Sequence, residues 1–458
     1  MASGSLGIYR EQFLYYLRQV RVINASVGTS IFIFFFAFFS WSSIEFHNAI
    51  PLDDWKHHLR ADAAGYYIYL PGTFHHGMKA NGISEDLYGK AGKGYKLDHS
   101  RDRIVTKYTY APALLMLPFY VIAEFMEGVK KSDGWSRTHH QMIEISGIFY
   151  MAFGSLLLFL ALLSWSKGRS TTVLLTMVCV IFATNVFYYG YRAPAYSHIY
   201  SYFLVSLALY AIFSHHGPFS NRWKIAFMVS TSMLVVTRPS DIVAVGGLWI
   251  LMHSYGRSTM SFRGFWIPYF FVFLACALPQ LAYWKFVHGT WIVYSYGDEG
   301  FTHWRSPYLY EVLFAPGNGL VPNAPASLFV ALGLPALWTM SVPRCRTVAI
   351  VLLAMMAIMI YLCASWHVWT FGCSYGQRSM VQYMPFVGFA IYSLLDRIRD
   401  RMPAIFHGLI PLMILIAFIN YRAMLNFSTC YGWGETNWYH YQQNILNAFL
   451  GSSYCTPP

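Results

Sequence analysis

Gly147-Ile-Phe-Tyr-Met-Ala-Phe-Gly-Ser-Leu-Leu-Leu-Phe-Leu-Ala-Leu-Leu-Ser-Trp165 carries no charged side chain from end to end. As an α-helix, a run of this kind has the length that a bilayer core demands, about 20 residues. With its lead-in it predicts a spanning helix over 141–165. An earlier run, Val22 to Trp41, reads the same way, and because no small-residue cleavage site follows it we expect a signal anchor. Working outward, further apolar stretches lie near 171–190, 195–214, 223–238, 241–255, 265–287, 322–340, 345–365, 380–395 and 403–424. The expected fold is an all-α, polytopic transmembrane helical bundle of about eleven spans.

Composition agrees. Apolar residues make up 56% of the 458, and Asp, Glu, Lys and Arg only 11%, against roughly 25% in a soluble domain. So few charges cannot cover a water-exposed surface. The aromatic share of 19% suits interfaces and a lined cavity. The net charge of +12 comes from short basic clusters between apolar runs, the pattern of orientation signals, and no nucleic-acid-binding motif accompanies it. Seven cysteines include no Cys-x-x-Cys pair, so neither a zinc framework nor a disulfide scaffold is indicated. Cys430 and Cys455 are a candidate pair if the tail meets an oxidising compartment.

The basic clusters set the orientation. Arg10, Arg18 and Arg21 precede the first span, Lys167 and Arg169 follow the second, and Arg222 and Lys224 precede the fifth. Arg257 and Arg263, Arg344 and Arg346, and Arg397, Arg399 and Arg401 mark later junctions. All fall on the N-terminal side provided that 111–127, interrupted by Pro112, Pro118 and Glu124, is an interfacial or re-entrant helix; a full span is the rival. The N-terminus is then cytoplasmic. The long segments, 42–109, 289–321, 366–379 and the tail 425–458 with an amphipathic stretch from Asn437 to Leu450, face outside. The expected division is a transmembrane domain over 1–424 and an outer tail over 425–458.

Chemistry is expected in those outer segments. If the first loop is helical up to Pro71, His58, Asp62, Tyr66 and Tyr69 share one face. Asp62 is the candidate general base; the other reading is a helix cap or a partner of Arg60 or Lys56. Asp53 with His57, and Asp54 with His58, have spacing compatible with a divalent cation, or are exposed polar residues without a ligand. Asp54 and His58 are the metal candidates, and no other cofactor is indicated. Arg192 and His198 lie at the outer junction of the third and fourth spans, and Arg238 and Asp241 between the fifth and sixth. Their arginines suit a phosphate, or, for Arg238, an internal pair with Asp241. The stretch Trp366 to Ser379 alternates aromatics and glycines and supplies Trp369, Tyr375, Gln377 and Arg378: either a site with Arg378 on a phosphate, or an aromatic belt with a snorkelling arginine. Glu311 to Pro325 reads as a structured turn or gate.

One span, a long outer loop with Asp62 in an Asp-x-x-Gly-Tyr setting, and many further spans resemble the GT-C superfamily of integral membrane glycosyltransferases. Within it the likeness is to bacterial enzymes related to the protein mannosyltransferase and aminoarabinose transferase group. Arg-Pro at 238–239, Leu-Phe-Ala-Pro-Gly-Asn-Gly-Leu at 313–320 and Gly-x-Ser-Tyr-Gly-x-Arg at 372–378 are similar to elements of such proteins. The resemblance implies a bacterial cytoplasmic membrane, a polyprenyl-phosphate-linked sugar donor, a lipid, glycan or protein acceptor, and an acceptor-side role for Asp62. Ala63 departs from relatives that carry a second acidic residue there, and no large outer domain follows the last span. The expected reaction is inverting displacement, with donor phosphate on Arg378, helped by Arg192 or Arg238, and a cavity drawn from His58, Tyr66, Tyr69, His198, Trp369, Tyr375 and Gln377. The alternative is a transporter or flippase of a lipid-linked or amphiphilic substrate, which predicts two-sided access and internal repeats; no repeat is evident. A non-enzymatic assembly factor and a membrane acyltransferase are weaker rivals.

Overall fold

The computed structural model describes residues 26–450 apart from 47, 50–58, 93, 129–131, 167–168, 215–219, 256–261, 343, 373 and 428–435. Asp53, Asp54, His57, His58, Cys430 and Cys455 therefore lie outside the described residues. Among the described residues the fold is all-α but for one small antiparallel hairpin, which pairs Lys96–Asp98 with Arg103–Val105, and an isolated bridge between Phe301 and Trp366.

Among the described residues, five helices are long and apolar enough to cross a membrane: Ser26–Phe46, Arg137–Trp165, Arg263–His288, Cys345–Ser365 and Pro403–Asn426. Their outer faces carry exposed rings and branched chains, among them Phe34, Phe270, Phe271, Leu353 and Ile414. Apolar faces of this extent need an apolar surrounding, which points to a membrane protein. The other expected stretches hold shorter helices: Ser170–Phe182, Ser197–Phe213, Asn221–Thr237, Ile242–Ser254, Pro325–Trp338 and Met384–Arg401. A helix of 13 residues, such as Ser170–Phe182, is only about 20 Å long. The stretch expected to be continuous over 171–190 breaks at Ala183–Asn185 and resumes as a π-helical turn, Tyr188–Arg192. The Asn185 amide explains the break: its Nδ2 donates to the carbonyls of Gln377 at 3.1 Å and Tyr375 at 3.4 Å.

Helices Arg137–Trp165 and Ser197–Phe213 pack most closely, and small residues allow it. A β-carbon at Gly147 would meet Pro194 Cβ at 2.2 Å, and one at Gly154 would meet Tyr202 at 3.0 Å.

The helix connections sort into two ends. At one end Arg169 pairs with Asp396 and Asp400 at 2.6 and 2.7 Å, and Trp165 donates to the Tyr255 hydroxyl at 2.9 Å. At the other, Thr109 donates to the Thr237 carbonyl at 2.8 Å, Ser197 to the Tyr66 hydroxyl at 2.9 Å, and Ser295 to the Lys107 carbonyl at 2.7 Å. The stretch 111–127 is one α-helix, Ala111–Glu127. Thr109, just before its start, is tied to the Thr237 carbonyl, and the first-loop His75, whose Nε2 lies 2.7 Å from Glu124 Oε1, holds its far end. The amphipathic tail stretch is a helix, Trp438–Leu450, tied down by the Tyr441 hydroxyl, which donates to the Pro322 carbonyl at 2.8 Å.

Candidate active site

Asp62 opens the short helix Asp62–Tyr67. The residue before it, Ala61, has φ +49° and ψ −125°, a conformation that a β-carbon disfavours. Strain of this kind persists where the surroundings over-determine it. Here the Ala61 N–H donates to the Ala91 carbonyl at 3.1 Å, and the Ala61 carbonyl accepts from Gly65 at 3.0 Å. The single helix expected up to Pro71 is two pieces, the second running Tyr69–Phe74.

Asp62 Oδ2 lies 2.8 Å from Arg378 Nη2, with side chains 26% and 15% exposed. Asp62 Oδ1 accepts from the Tyr108 hydroxyl. The Arg378 guanidinium also sits over two rings, 5.4 Å from the centroid of Tyr196 and 5.8 Å from that of Phe371. Phe371, like Ala61, holds a positive φ, +53°. Each charge of the pair thus has a strained residue beside it. Burial pushes the Asp62 carboxyl up, but Arg378, the Tyr108 hydrogen bond and Lys107 together hold it below its ordinary value of 3.8. Burial and the Asp62 carboxylate push the Tyr108 phenol up, so it stays a donor.

Three asparagines fix the loop that delivers Arg378. Asn318 Nδ2 donates to the Thr370 carbonyl at 2.9 Å, the Ser374 carbonyl at 3.0 Å and Ser374 Oγ at 2.7 Å. Asn185 holds the carbonyls of Tyr375 and Gln377, and Asn420 Oδ1 accepts from the Tyr375 hydroxyl at 2.8 Å. The Pro/Gly-punctuated segment around Asn318 is therefore a clamp on this loop.

Arg238 stands next to the pair. One of its amino groups, Nη1, meets the His198 ring, with Nε2 at 3.0 Å, and Nη2 donates to Ser379 Oγ at 3.1 Å. The internal Arg238–Asp241 pair weighed from sequence is not formed. Asp241 instead accepts from Ser201 at 2.7 Å and from Gln382 at 2.8 Å. Among the described residues no carboxylate forms an ion pair with Arg238.

Of the residues singled out by sequence, Asp62, Tyr66, His198, Arg238 and Arg378 come together. The Tyr66 ring lies 4.6 Å from that of Tyr108. Others do not join them. Arg192 sits over the Phe46 ring at 4.8 Å, among the turns beside the first helix. Tyr69 turns the other way: it packs against Tyr283 at 4.8 Å and donates to the Tyr108 carbonyl at 2.8 Å, because the helix breaks at Ile68. Tyr375 is buried, and Gln377 Nε2 donates to the Trp369 carbonyl at 3.2 Å; these three shape the loop. Sequence reasoning missed Lys107, Tyr108, Tyr296 and Glu299. Lys107 Nζ pairs with Glu299 Oε1 at 2.5 Å and lies 5.5 and 5.4 Å from the Tyr108 and Tyr296 ring centroids. The one available signal was the polar, aromatic run Lys107-Tyr108-Thr109-Tyr110 just before Pro112.

An apolar groove of about 480 Å³ opens behind Tyr69, lined by Leu117, Pro279, Tyr283 and Phe286 among others. Tyr108 links the two regions, its carbonyl toward Tyr69 and its hydroxyl toward Asp62. Among the described residues no group of three or more His, Cys, Asp or Glu side chains is arranged to hold a metal ion. The site brings one carboxylate and two guanidinium groups together, ringed by tyrosines. No protein-family model, curated protein or solved structure matches the chain.

Proposed function

We propose that this chain is a membrane glycosyltransferase of the GT-C type that moves a sugar from a polyprenyl-phosphate donor to an acceptor at the extracytoplasmic face. The observation that carries this reading is the contact network of Asp62, Arg378 and Arg238, drawn from three distant segments to one end of the bundle. The groove behind Tyr69 adds an apolar bed one residue away from the carboxylate. Lipid character and anionic character are thus accommodated side by side.

In the reaction, Arg238 and Arg378 hold the donor phosphate and stabilise the charge that grows on it. The bond between the anomeric carbon and the phosphate oxygen breaks as the acceptor oxygen bonds to that carbon from the opposite side. The acceptor proton passes to Asp62, and polyprenyl phosphate leaves with its electron pair. Tyr66, Tyr108, Tyr196 and Tyr296 provide the rings against which a sugar rests. Inversion follows from a single displacement.

The same reading carries the topology: eleven spans in a bacterial cytoplasmic membrane, the N-terminus cytoplasmic, and 111–127 lying along the outer surface. Support comes from the two-ended sorting of the helix connections and from the contact of first-loop His75 with the far end of Ala111–Glu127.

The test is to profile envelope glycolipids and glycans by mass spectrometry in a strain that lacks the gene. A sugar residue should disappear and return with the wild-type chain, while Asp62→Asn, folded, should restore about 10²–10⁴-fold less transfer. Restoration by Asp62→Asn would end the enzyme reading. A complete lipid-linked precursor stranded on the inner leaflet would favour the flippase.

A further inference from the structure

The carboxylate assigned as base is not free to act as one. Asp62 Oδ2 is 2.8 Å from Arg378, and Oδ1 holds the Tyr108 hydroxyl. Lys107, Tyr66 and Tyr296 also face it. A carboxylate with both oxygens so engaged is a weak proton acceptor. Arg378 is equally committed, since its charge already faces Asp62. The two opposite charges are in direct contact. The larger grooves, of about 370, 440 and 480 Å³, are lined by other residues.

Arg238 breaks this symmetry. It lacks an ion pair among the described residues, and its Nη2 reaches Ser379, the neighbour of Arg378 in the chain. An anion that arrives at Arg238 is therefore within a side-chain swing of Arg378. A guanidinium fork fits the two non-bridging oxygens of a phosphodiester, which share one negative charge, and a phosphate gripped by Arg238 and Arg378 together gains two such contacts where Arg378 now has one carboxylate.

We propose that the Asp62–Arg378 ion pair is a latch opened by the donor: the lipid phosphate lands on Arg238, draws Arg378 away from Asp62, and only then leaves the carboxylate free to accept a proton. Donor binding precedes acceptor activation, and the acceptor meets a competent base only in the donor-bound protein. This inference rests on the glycosyltransferase reading above.

The experiment uses the purified full chain in detergent micelles, with farnesyl phosphate as probe and farnesol and inorganic phosphate as comparisons. Calorimetry reads binding. Labelling by a carbodiimide, which attacks protonated carboxyl groups, is read at Asp62 by peptide mass spectrometry at fixed pH. Each unit by which the carboxyl rises multiplies the reactive fraction about tenfold. Farnesyl phosphate should raise Asp62 labelling several-fold, and Arg238→Ala should shift that rise to higher concentration. Arg378→Gln, or Arg378→Lys if the first does not fold, should label strongly without any probe. Farnesol should do nothing; an equal response to inorganic phosphate would assign the latch to the phosphate group alone. An infrared difference spectrum of the carboxyl stretch gives the same answer without reagent access. If farnesyl phosphate binds saturably and depends on Arg238, yet Asp62 responds in neither measurement, the latch is overturned and the glycosyltransferase reading stands. If it does not bind, both fall.

Discussion

A β-carbon at Gly65 would stand 2.2 Å from Cδ2 of Tyr108 and 2.5 Å from the Gly94 carbonyl oxygen. One edge of the tyrosine ring lies against the backbone of the helical turn that carries Asp62, and its hydroxyl reaches the carboxylate. In the Asp-x-x-Gly-Tyr run, glycine is thus required by a neighbour far along the chain. Gly65→Ala should force the ring outward, at a cost of about 1–3 kcal/mol for overpacking, and should lower transfer at least about tenfold as the donor to Asp62 moves. Tyr108→Phe removes the hydroxyl alone, a hydrogen bond to a charged group worth about 1.5–3 kcal/mol, whereas Gly65→Ala adds the overpacking cost to the same loss. Thermal unfolding and transfer assays on both variants separate crowding from the lost hydrogen bond; equal unfolding losses would refute the packing argument.

Arg238 and Arg378 should respond differently to substitution, because only one of them holds a carboxylate. Arg238→Lys keeps the charge but loses the fork that spans His198 and Ser379. We expect its donor KM to rise roughly tenfold, a loss of about 1.4 kcal/mol, with the melting temperature nearly unchanged. Arg378→Lys must hold both Asp62 and the phosphate in turn, and should lose stability as well. Steady-state kinetics over a donor series, set beside unfolding curves, makes the comparison. A larger stability loss for Arg238→Lys would contradict the assignment of roles.

Much of the helical layout was legible because it follows from one strong rule: a long uncharged run must be a helix, and each of the eleven apolar stretches contains one. Asp62 and Arg378 were each legible as candidates for a similar reason, since a charge beside apolar spans needs an opposite charge or a cavity, but their direct contact was not, because the sequence offered Asp62 the partners Arg60 and Lys56 and offered Arg378 a phosphate. What escaped depended on contacts with no local trace. Tyr108 and Lys107 sit in an irregular connection where no periodicity points a side chain inward. Tyr69 followed Tyr66 by helical spacing, but the turn at Ile68 rotates it toward Tyr283. Arg192 was grouped with the phosphate ligands because it shares an outer junction with His198, yet the π-helical turn it ends carries it toward Phe46. Asn318 drew no chemical reading at all, although it organises the loop opposite.

Acid should act on the ion pair in one narrow window. Asp62 is held below its ordinary value of 3.8, chiefly by Arg378 against the opposing effect of burial. A carboxyl that is more acidic in the folded chain contributes stability above its unfolded value. That contribution is lost only as pH falls through the lower, folded value. The stability difference between wild type and Asp62→Asn should therefore be flat from pH 8 to about pH 5 and shrink below about pH 4. Unfolding measured across that range in one detergent checks it. A difference that fades between pH 8 and 6 would mean that the carboxylate is not paired in the folded protein.

The loop bearing Arg378 should be as sensitive to Asn318 as to its own residues. Asn318 is buried, and its single amide group serves three carbonyls and a hydroxyl of residues 370–374. Asn318→Ala leaves those acceptors without their donor, at about 1–3 kcal/mol, and lets Arg378 wander from Asp62. Asn318→Asp is nearly the same shape but worse: its carboxylate turns acceptors toward acceptors. It should therefore lose more stability than the alanine variant at neutral pH. Below its own pKa the protonated acid regains one donor, and part of the deficit should return. Unfolding of the two variants at pH 7 and pH 5 decides the matter, because a side chain that merely filled space would rank the smaller alanine as the more damaging change.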